Sequence, residues 1–426
     1  MKTETLKFGD IARLRKDTIN PKELEDIKYL GLEHINKESL SINSIGSSKG
    51  LDSNKFVFSS DDVLFGKLRP YFRKVFKPKF DGICSTDIWV VQPRDSNICK
   101  DFLFYLMADQ KFVDFANQGA TGTRMPRADW NHVVEYEVKK FTYEEQNQIS
   151  KILRPLDNKI ELNQKMNKTL EEIAKTLFKS WFIDFDPVRA KTEGRSTGLS
   201  KEISDLFPDS FEDSELGEMP RGWRIESLSK ITSFKNGFAF KSKDWTESGK
   251  PVVKIGNVKP LILDIEGCSF ISDDLKKYDE YLLSKGDILI GMTGYVGETC
   301  LVPKLKKMPY QNQRVGKLIP TKDFFKEFLF SFTRQSSFKR KVEEIAQGSA
   351  QQNVSGRDIL ELDFVFGNEE ILKMFSDSTS DIFKKILSNF EENIILTELR
   401  DTLLPKLVSG DLKIPDAENL VKEAGI

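Results

Sequence analysis

Two long stretches of the chain have the hydrophobic spacing of an amphipathic helix. In the first, from Tyr143 to Phe185, apolar residues recur mostly every three or four positions among polar and charged ones; they are Ile149, Ile152, Leu156, Ile160, Met166, Leu170, Ile173, Leu177 and Trp181. This spacing is typical of a coiled-coil seam. Roughly 40 helical residues would form a rod roughly 60 Å long. Such a helix needs a partner, because an exposed apolar stripe is not stable in water.

The second stretch, Ile371 to Val408, repeats the first at a fixed distance along the chain. Asn163 and Asn389 are 226 positions apart, and so are Asn167 and Asn393. Polar residues that recur in register indicate an internal duplication, because an apolar pattern alone matches more often by chance. We therefore predict two antiparallel spacer helices, at residues 143–186 and 368–410.

The seam of these helices defines a set of predicted packing residues. They are Leu156, Ile160, Asn163, Leu170, Ile173, Leu177, Trp181, Ile382, Ile386, Asn389, Leu396, Leu399, Leu403 and Leu407. Pro155 interrupts the first pattern near its start. Because a proline removes a backbone hydrogen bond, we expect it to kink the first helix or to delay its start.

The first 142 residues are predicted to form a mixed α+β domain. Short β-type runs separated by turn residues lie at residues 27–35, 56–58, 63–65 and 88–91. A helical run at residues 102–117 is placed among them.

Residues 222–367 are predicted to form a second domain that repeats the first. FLF occurs at residues 102–104 and again at 328–330, and DVLFGKL from Asp62 is matched by DILIGMT from Asp287. We also align QGATGTRMPRAD, from Gln118, with QGSAQQNVSGRD, from Gln347.

The whole chain therefore reads as domain, helix, domain, helix. Residues 187–221 form an acidic linker and residues 411–426 a C-terminal tail in this prediction. The predicted fold class is α+β, with two duplicated mixed α/β domains joined by two long antiparallel coiled-coil helices and related by a pseudo-twofold axis.

Composition is that of an ordinary globular protein. With 426 residues, of which 39% are hydrophobic, the chain has room for two or three domains with real cores. Its cysteines lack a metal-ligand spacing, so we expect buried free thiols and no structural zinc; they are Cys84, Cys99, Cys268 and Cys300. The sequence shows no signal peptide and no membrane-spanning apolar run, so we expect a cytoplasmic protein.

Two basic stretches point to nucleic acid as the ligand, although the net charge of −1 does not. Two domains related by a twofold axis suit a twofold-related ligand, and duplex DNA is the commonest one. Between Asp62 and Asp81, basic residues alternate with aromatic ones and no acid intervenes; a second acid-free basic stretch lies between Glu298 and Asp323. Both are candidate phosphate-contacting surfaces. The alternative is that each is the solvated face of a hairpin.

Two polar loops that begin with Gln-Gly, and a Gln-Asn-Gln-Arg segment, are candidates for reading bases, because their side chains can pair with base edges. The alternative for the loops is a helix C-terminal turn closed by Gly119 or Gly348. The candidate DNA-binding residues are Lys67, Arg69, Tyr71, Arg73, Lys74, Thr121, Thr123, Arg124, Arg127, Thr293, Tyr295, Lys306, Lys307, Gln311, Asn312, Gln313, Arg314, Ser349, Gln351, Gln352 and Asn353.

Catalytic motifs are absent from the sequence. It has no phosphate-binding GxxxxGK[ST] loop, no dinucleotide fingerprint and no Asn-Pro-Pro-aromatic tetrapeptide of the DNA amino-methyltransferases. His34 and His132 are more readily explained as structural or surface residues. We predict no catalytic and no metal-binding residues on this chain.

Several strings in order give the chain a family resemblance. They are DNKIELNQKMNKTLEEIAKTLFKSWFIDFDPV (157–188), LGEMPRGWRIESLSKI (216–231), GDILIGMTG (286–294), QGSAQQNVS (347–355) and LRDTLLPKLVSGDLKIP (399–415). With these strings the chain resembles the specificity subunit of a type I restriction-modification system. The match covers both domains and both predicted helices.

The resemblance implies a non-catalytic subunit whose two target recognition domains each read one half of a bipartite, asymmetric DNA sequence. It also implies that methyltransferase subunits, expected to be two, dock on this chain and that restriction subunits join them. S-adenosylmethionine, ATP and Mg²⁺ would then bind to those partners and not here. Two alternatives stay open: a diverged single-chain DNA methyltransferase or nuclease with an unrecognised active site, and a duplicated scaffold that does not bind DNA.

Overall fold

A computed structural model of the chain describes residues 4–23, 25–214, 217–273, 276–347, 352–423 and 425. The helices are α1 (Phe8–Ile11), α2 (Lys100–Ala108), α3 (Gln110–Gln118), α4 (Trp130–Val133), α5 (Tyr143–Phe182), α6 (Asp186–Thr192), α7 (Lys201–Ser204), α8 (Lys326–Thr333), α9 (Ser336–Ile345), α10 (Gly356–Leu360), α11 (Glu369–Ser409) and α12 (Ile414–Glu423).

The strands are short. The first eleven are β1 (Thr5–Lys7), β2 (Ala12–Arg15), β3 (Thr18–Ile19), β4 (Lys28–Leu30), β5 (Gly46–Ser47), β6 (Lys55–Phe58), β7 (Val63–Gly66), β8 (Val75–Phe76), β9 (Gly82–Cys84), β10 (Ile88–Pro93) and β11 (Glu137–Lys139). The others are β12 (Phe211–Ser214), β13 (Gly217–Pro220), β14 (Arg224–Ser227), β15 (Thr232–Asn236), β16 (Trp245–Thr246), β17 (Lys250–Val253), β18 (Leu261–Ile262), β19 (Ser269–Ile271), β20 (Ile288–Gly291), β21 (Thr299–Leu301), β22 (Tyr310–Gln311), β23 (Val315–Pro320) and β24 (Asp363–Phe366).

The chain folds into two compact units. Unit 1 comprises residues 1–161 and 394–426, and unit 2 comprises residues 162–393. The long helices α5 and α11 each contribute residues to both units.

Unit 1 is a mixed α/β unit around one main apolar core. Its sheets have the strand orders β1-β11, β2-β10-β7-β8 and β3-β6-β9-β4-β5. Phe65, Phe112 and Leu153 are fully buried in the main core, and Leu396 of α11 joins them. Burial of such side chains stabilises a fold by about 1.5–3 kcal/mol each, so the long helices are structural parts of the unit.

Unit 2 repeats this plan. Its sheets include β14-β24 and β15-β23-β20-β21-β18. In unit 1, β7 pairs with β10 so that Gly66 faces Ile88, and in unit 2, β20 pairs with β23 so that Gly291 faces Val315. In both units the strand that precedes the long helix pairs with an early strand of its own domain, β11 with β1 and β24 with β14. The mixed α/β class and the repetition of the domain are therefore confirmed.

The predicted helical run at residues 102–117 is two helices. Asp109 is the C-cap of α2 and at the same time the N-cap of α3, with extended backbone angles. One extended residue is enough to end the first helix and to turn the chain, and the apolar spacing on both sides of it did not reveal that break.

Pro155 does not delay the first long helix, which begins at Tyr143 and continues through the proline. A proline inside a helix removes one backbone donor, and its ring crowds the carbonyl four residues earlier. The apolar side chains around it, Ile152, Leu153 and Leu156, are buried in the core of unit 1, and this packing compensates for the loss.

The seam of α5 differs from the prediction at one predicted position. Ile173 is 49% exposed, whereas its neighbour Ala174 is 2% exposed and belongs to the core of unit 2. The prediction that Ile173 packs in the seam is therefore wrong. The three- and four-residue spacing continues from Asn167 through Leu170 to Ala174, and a small alanine gives a weaker sequence signal than an isoleucine.

Within unit 2, α5 and α11 contact each other in antiparallel register. Asn163 contacts Asn393, and Asn167, one turn later on α5, contacts Asn389, one turn earlier on α11. All four asparagines are buried.

Residues 187–221, predicted to be an acidic linker, contain α6, α7 and the β12-β13 hairpin within the described residues. Val188, Phe207 and Met219 are buried in the core of unit 2. The segment is therefore part of that unit. Its acidic residues masked the few apolar anchors that fix it.

No helix among the described residues is long and apolar enough to cross a membrane. All four cysteines are buried free thiols, as predicted.

Candidate nucleic-acid interface

In unit 1 the structure brings two of the predicted DNA-binding stretches together. The chain leaves β7 and forms loop A, residues 67–74, which lies against loop B, residues 121–127. Leu68 and Arg127 form a β-bridge, and the Arg69 N–H donates to the Pro126 carbonyl at 2.7 Å. Loop B is closed by reciprocal backbone hydrogen bonds between Thr121 and Arg127. The two stretches, separate in sequence, thus form one surface.

Loop A has a strained backbone. Arg69 and Arg73, which flank the turn Pro70–Phe72, have φ angles of +53° and +46°. A non-glycine residue in this left-handed region costs about 1–2 kcal/mol. Such strain persists where the surrounding structure fixes it, and it concentrates at binding sites.

Loop B presents polar side chains to solvent. Thr121, Thr123 and Arg124 are exposed, and so is Tyr71 on loop A, at 43%. Arg127 is exposed as well, and its guanidinium donates to Asp87 at 2.9 Å. That hydrogen bond raises the pKa of Arg127 and holds the side chain in one direction. These are the donors and acceptors that a base edge or a phosphate requires.

Two residues of loop A that were predicted to contact DNA bind partners within the protein instead. Arg73 is 8% exposed and its guanidinium pairs with Asp401 at 3.0 Å, so the prediction that it binds DNA directly is wrong. The Lys74 ammonium donates to the Leu32 carbonyl, and burial lowers its pKa. Of the predicted basic residues in the loop, Lys67 and Arg69 remain partly exposed.

Unit 2 contains the same loop pair. Loop C, residues 292–298, follows β20. It contacts the segment 347–353, which we call loop D and of which the structure describes residues 347, 352 and 353. Thr293 forms a β-bridge with Asn353, which in turn bridges to Gln347 and closes loop D. The Thr293 hydroxyl also donates to Asn353 at 2.7 Å. Thr293 is 7% exposed, so its side chain holds the two loops together and does not face a ligand.

The bridges correct the alignment of the repeats at these loops. Thr121 and Gln347, which close loops B and D, are 226 positions apart, whereas the Gln-Gly strings align Gln118 with Gln347, 229 positions apart. The offset of 226 is also that of the FLF strings and of the paired asparagines. The shared Gln-Gly letters are therefore not structurally equivalent.

Exposed polar residues line the second loop pair too. Gln313, Arg314, Gln352 and Asn353 are exposed, and Arg314 donates to Asn353 at 3.3 Å. Tyr295 in loop C is 56% exposed, comparable to Tyr71 in loop A. The predicted residues Ser349 and Gln351 lie outside the described residues.

Four other predicted residues in unit 2 lie outside loops C and D. Gln311 is 1% exposed and its amide donates to two backbone carbonyls, so the prediction that it reads a base is wrong. Asn312 is half-buried, and its N–H donates to the Val253 carbonyl. Lys307 pairs with Asp273 at 2.8 Å, in the same exposed segment as Lys306.

A comparison with known families identifies the family. A family model described as the type I restriction modification DNA specificity domain matches residues 2–172 and again residues 220–400. The chain belongs to this specificity family. It is the DNA-recognition subunit of a type I restriction-modification system, and catalysis in such systems is not the work of this subunit.

Individual relatives agree with the family. The specificity subunit of the type I restriction enzyme HindI of Haemophilus influenzae is 28% identical over 416 residues, which cover 84% of this chain and 88% of the relative. The MjaIX specificity subunit of Methanocaldococcus jannaschii is 25% identical over 329 residues, 76% of this chain and 71% of that one. The crystal structure of the type I S subunit from M. genitalium shares the fold, with a TM-score of 0.53 at 18% identity over 95% of this chain and 96% of that one.

In this specificity subunit, a set of buried and partly buried charged residues attaches loop A to the long helices in unit 1. Asp401 on α11 accepts from Arg73 at 3.0 Å and from Arg400 at 3.1 Å. Arg400, which is 1% exposed, also pairs with Asp157 on α5 at 2.8 Å. Burial tends to raise the pKa of Asp401, but the two guanidinium groups outweigh it, and the net pKa is lowered. We call this set of four residues network 1.

Unit 2 of the specificity subunit has a corresponding set at loop C. Glu298, the last residue of the loop, pairs with Arg334 at 2.6 Å and with Lys339 at 3.1 Å. Arg334 also pairs with Glu171 on α5 at 2.9 Å. Burial opposes ionisation of Glu298, but the neighbouring cations lower its pKa overall. We call Glu298, Arg334 and Glu171 network 2.

Sequence reasoning missed both networks. Their partners lie up to 328 positions apart, and a single acid or arginine on a helix carries no signal of a distant partner. Only the irregular charge inside an otherwise apolar seam, as at Arg400, could have drawn attention to them.

Proposed function

We propose that the two loop pairs are the DNA-reading surfaces of this specificity subunit, loops A and B for one half of a bipartite target and loops C and D for the other half. The observation that carries the proposal is the repeated loop pair with different exposed side chains. Loop B presents Thr121, Thr123 and Arg124, whereas loop D presents Gln352 and Asn353. The two loop pairs share one backbone arrangement but carry different hydrogen-bond donors and acceptors, as two different half-sites would require.

The long helices are proposed to set the gap between the half-sites as an antiparallel coiled coil. Their lengths of 40 and 41 residues and the antiparallel asparagine contacts within unit 2 support this. Asn163 matches Asn389 in the other repeat, and Asn167 matches Asn393. Exchanging the repeats therefore turns the contact Asn163–Asn393 into the contact Asn389–Asn167, and this supports a pseudo-twofold relation.

The partners are proposed from the family. Two methyltransferase subunits dock on this chain and bind S-adenosylmethionine, and restriction subunits that use ATP and Mg²⁺ join them in the cytoplasm. The chemistry belongs to those subunits, and this chain selects the sequence.

Methylome sequencing tests the proposal. A host without other methyltransferases receives this chain together with its cognate methyltransferase subunits. We expect methylation at one bipartite sequence with a fixed gap, and no methylation when either component is omitted. Methyl transfer by the purified chain alone, or methylation by the complex at a continuous sequence, would contradict it.

A further inference from the structure

In each unit, charged residues that are mostly buried connect the loop after the central strand to a long helix. In network 1, Arg73 on loop A pairs with Asp401 on α11. In network 2, Glu298 on loop C is joined to Glu171 on α5 through Arg334. In both cases the charged loop residue lies at the end of the loop, where the chain returns to the sheet as β8 or β21.

The sign of the charge at the loop differs between the two units. It is positive at Arg73, which pairs directly with an acid on the helix, and negative at Glu298, which needs Arg334 to join it to the acid on its helix. The two units therefore share a salt-bridge connection between loop and helix, although the residue types in it differ.

Most of these side chains are turned away from solvent, and Asp401, whose side chain is 35% exposed, is the most accessible of them. Arg73 is 8% exposed and Arg400 1%, and the side chains of Glu298 and Arg334 are each 11% exposed. An effect on DNA would therefore have to pass through the loops that they hold.

Stability alone does not account for such networks. Moving charges out of water is costly, and apolar side chains of similar volume often stabilise a fold at least as well. A charge pair does fix the orientation of its two side chains, because its hydrogen bonds form in only one geometry. Loop A needs such a constraint, since Arg69 and Arg73 hold its two ends in the left-handed region.

We propose that networks 1 and 2 position the recognition loops on the long helices and that each network thereby controls base discrimination in its own half-site. Arg73, Asp401, Glu298, Arg334 and Glu171 are positioning residues in this proposal. The proposal rests on the function proposed above.

The test uses the complex of the full chain with its methyltransferase subunits and two DNA libraries, each randomised in one half-site. Asp401→Asn neutralises the carboxylate that pairs with Arg73 in network 1, and Glu171→Gln neutralises the carboxylate that pairs with Arg334 in network 2. We expect Asp401→Asn to reduce discrimination in the half-site of unit 1 by at least about fivefold, the lower end of what one good base contact supplies. Discrimination in the other half-site should change less than about twofold. Glu171→Gln should give the reverse pattern.

Two further variants separate positioning from folding. Glu135→Gln breaks the exposed Lys7–Glu135 pair of unit 1 and should change neither half-site. Arg73→Lys keeps the charge but loses the fork of donors, and it should relax the same half-site as Asp401→Asn, to a smaller extent. If Asp401→Asn does not fold, Arg73→Lys decides for network 1 by the same criterion.

Hydrogen exchange gives a readout that does not depend on DNA. Asp401→Asn should speed exchange of the amides of Arg69, Phe72 and Arg73, which are hydrogen-bonded in loop A, and should leave loop C unchanged. Folded variants with unchanged discrimination, or equal losses in both half-sites, would overturn the positioning role. A wild-type complex that selects no bipartite sequence would instead overturn the proposed function.

Discussion

The side-chain amide of Asn163 donates to Oδ1 of Asn393 at 2.9 Å, and that of Asn389 donates to Oδ1 of Asn167 at 2.8 Å. Asn163 and Asn389 occupy matching positions in the two repeats, and so do Asn167 and Asn393. Buried polar pairs in a helix seam fix the register of the helices, because any shift leaves an amide without a partner.

A double-mutant cycle tests the asparagine pair. Asn167→Leu leaves the buried Asn389 amide without its partner, which should cost about 1–3 kcal/mol of stability. Adding Asn389→Leu removes the orphaned amide and should recover part of that loss. Denaturant unfolding measures both single variants, Asn167→Leu and Asn389→Leu, and the double variant. Losses that simply add would show that the two asparagines are not coupled in the folded chain.

Ala174 and Ile173 test the position of the seam. Ala174→Asp buries a carboxylate in the core of unit 2 and should lower the melting temperature strongly. Ile173→Asp changes an exposed neighbour and should alter stability by no more than about 0.5 kcal/mol. Melting curves followed by circular dichroism compare the two. Equal effects would mean that the seam does not run through Ala174.

Glu298 should make stability depend on pH. Its pKa is lowered in the folded chain, so the stabilisation is fully present above the pKa of the unfolded chain, about 4.3, and is lost as pH falls through the lower folded value. Glu298→Gln removes one member of a buried pair and should cost about 3 kcal/mol at pH 7. The difference from wild type should shrink below about pH 4. A difference that stays constant from pH 7 to pH 3 would rule out this role of the carboxylate.

The basic residues of loops A and B should contribute affinity through phosphate contacts. Replacing Lys67, Arg69 and Arg124 by Gln should flatten the slope of log K against log salt by up to about 2.7, since each phosphate contact contributes about 0.9. The matched control replaces three exposed lysines that lie outside the predicted basic stretches and are paired with acids, namely Lys22, Lys49 and Lys100. Equal slopes for the two triple variants would place the loop charges away from DNA.

Exchange of one recognition domain should change one half of the target. Replacing residues 1 to 140 with the corresponding domain of another specificity subunit should alter one half-site and preserve the other and the gap. Inserting one heptad into both long helices should widen the gap by about three base pairs, because seven residues add about 10 Å. Methylome sequencing measures both. A swap that alters both half-sites, or an active insertion variant with the original gap, would contradict the proposed division of labour.

The repeated elements could be predicted from the sequence because their signals are local or periodic. Helix α5 begins at the predicted Tyr143, and the predicted strand at residues 63–65 is β7, Val63–Gly66. The asparagines at matching positions indicated the duplication before any contact was known. Apolar periodicity carries this information because it reflects the helix and strand repeat itself.

Which predicted residues are exposed at the candidate interface was decided only by tertiary structure. Arg73 and Arg124 are both basic loop residues, but Arg73 is buried against Asp401, 328 positions away, while Arg124 faces solvent. Gln311 and Gln352 differ in the same way. The sequence by itself determined the repeats, the long helices and the family, since neighbouring residues encode them. Which charged and polar side chains are paired inside the protein and which are exposed depends on distant partners, and single residue types do not encode such pairings.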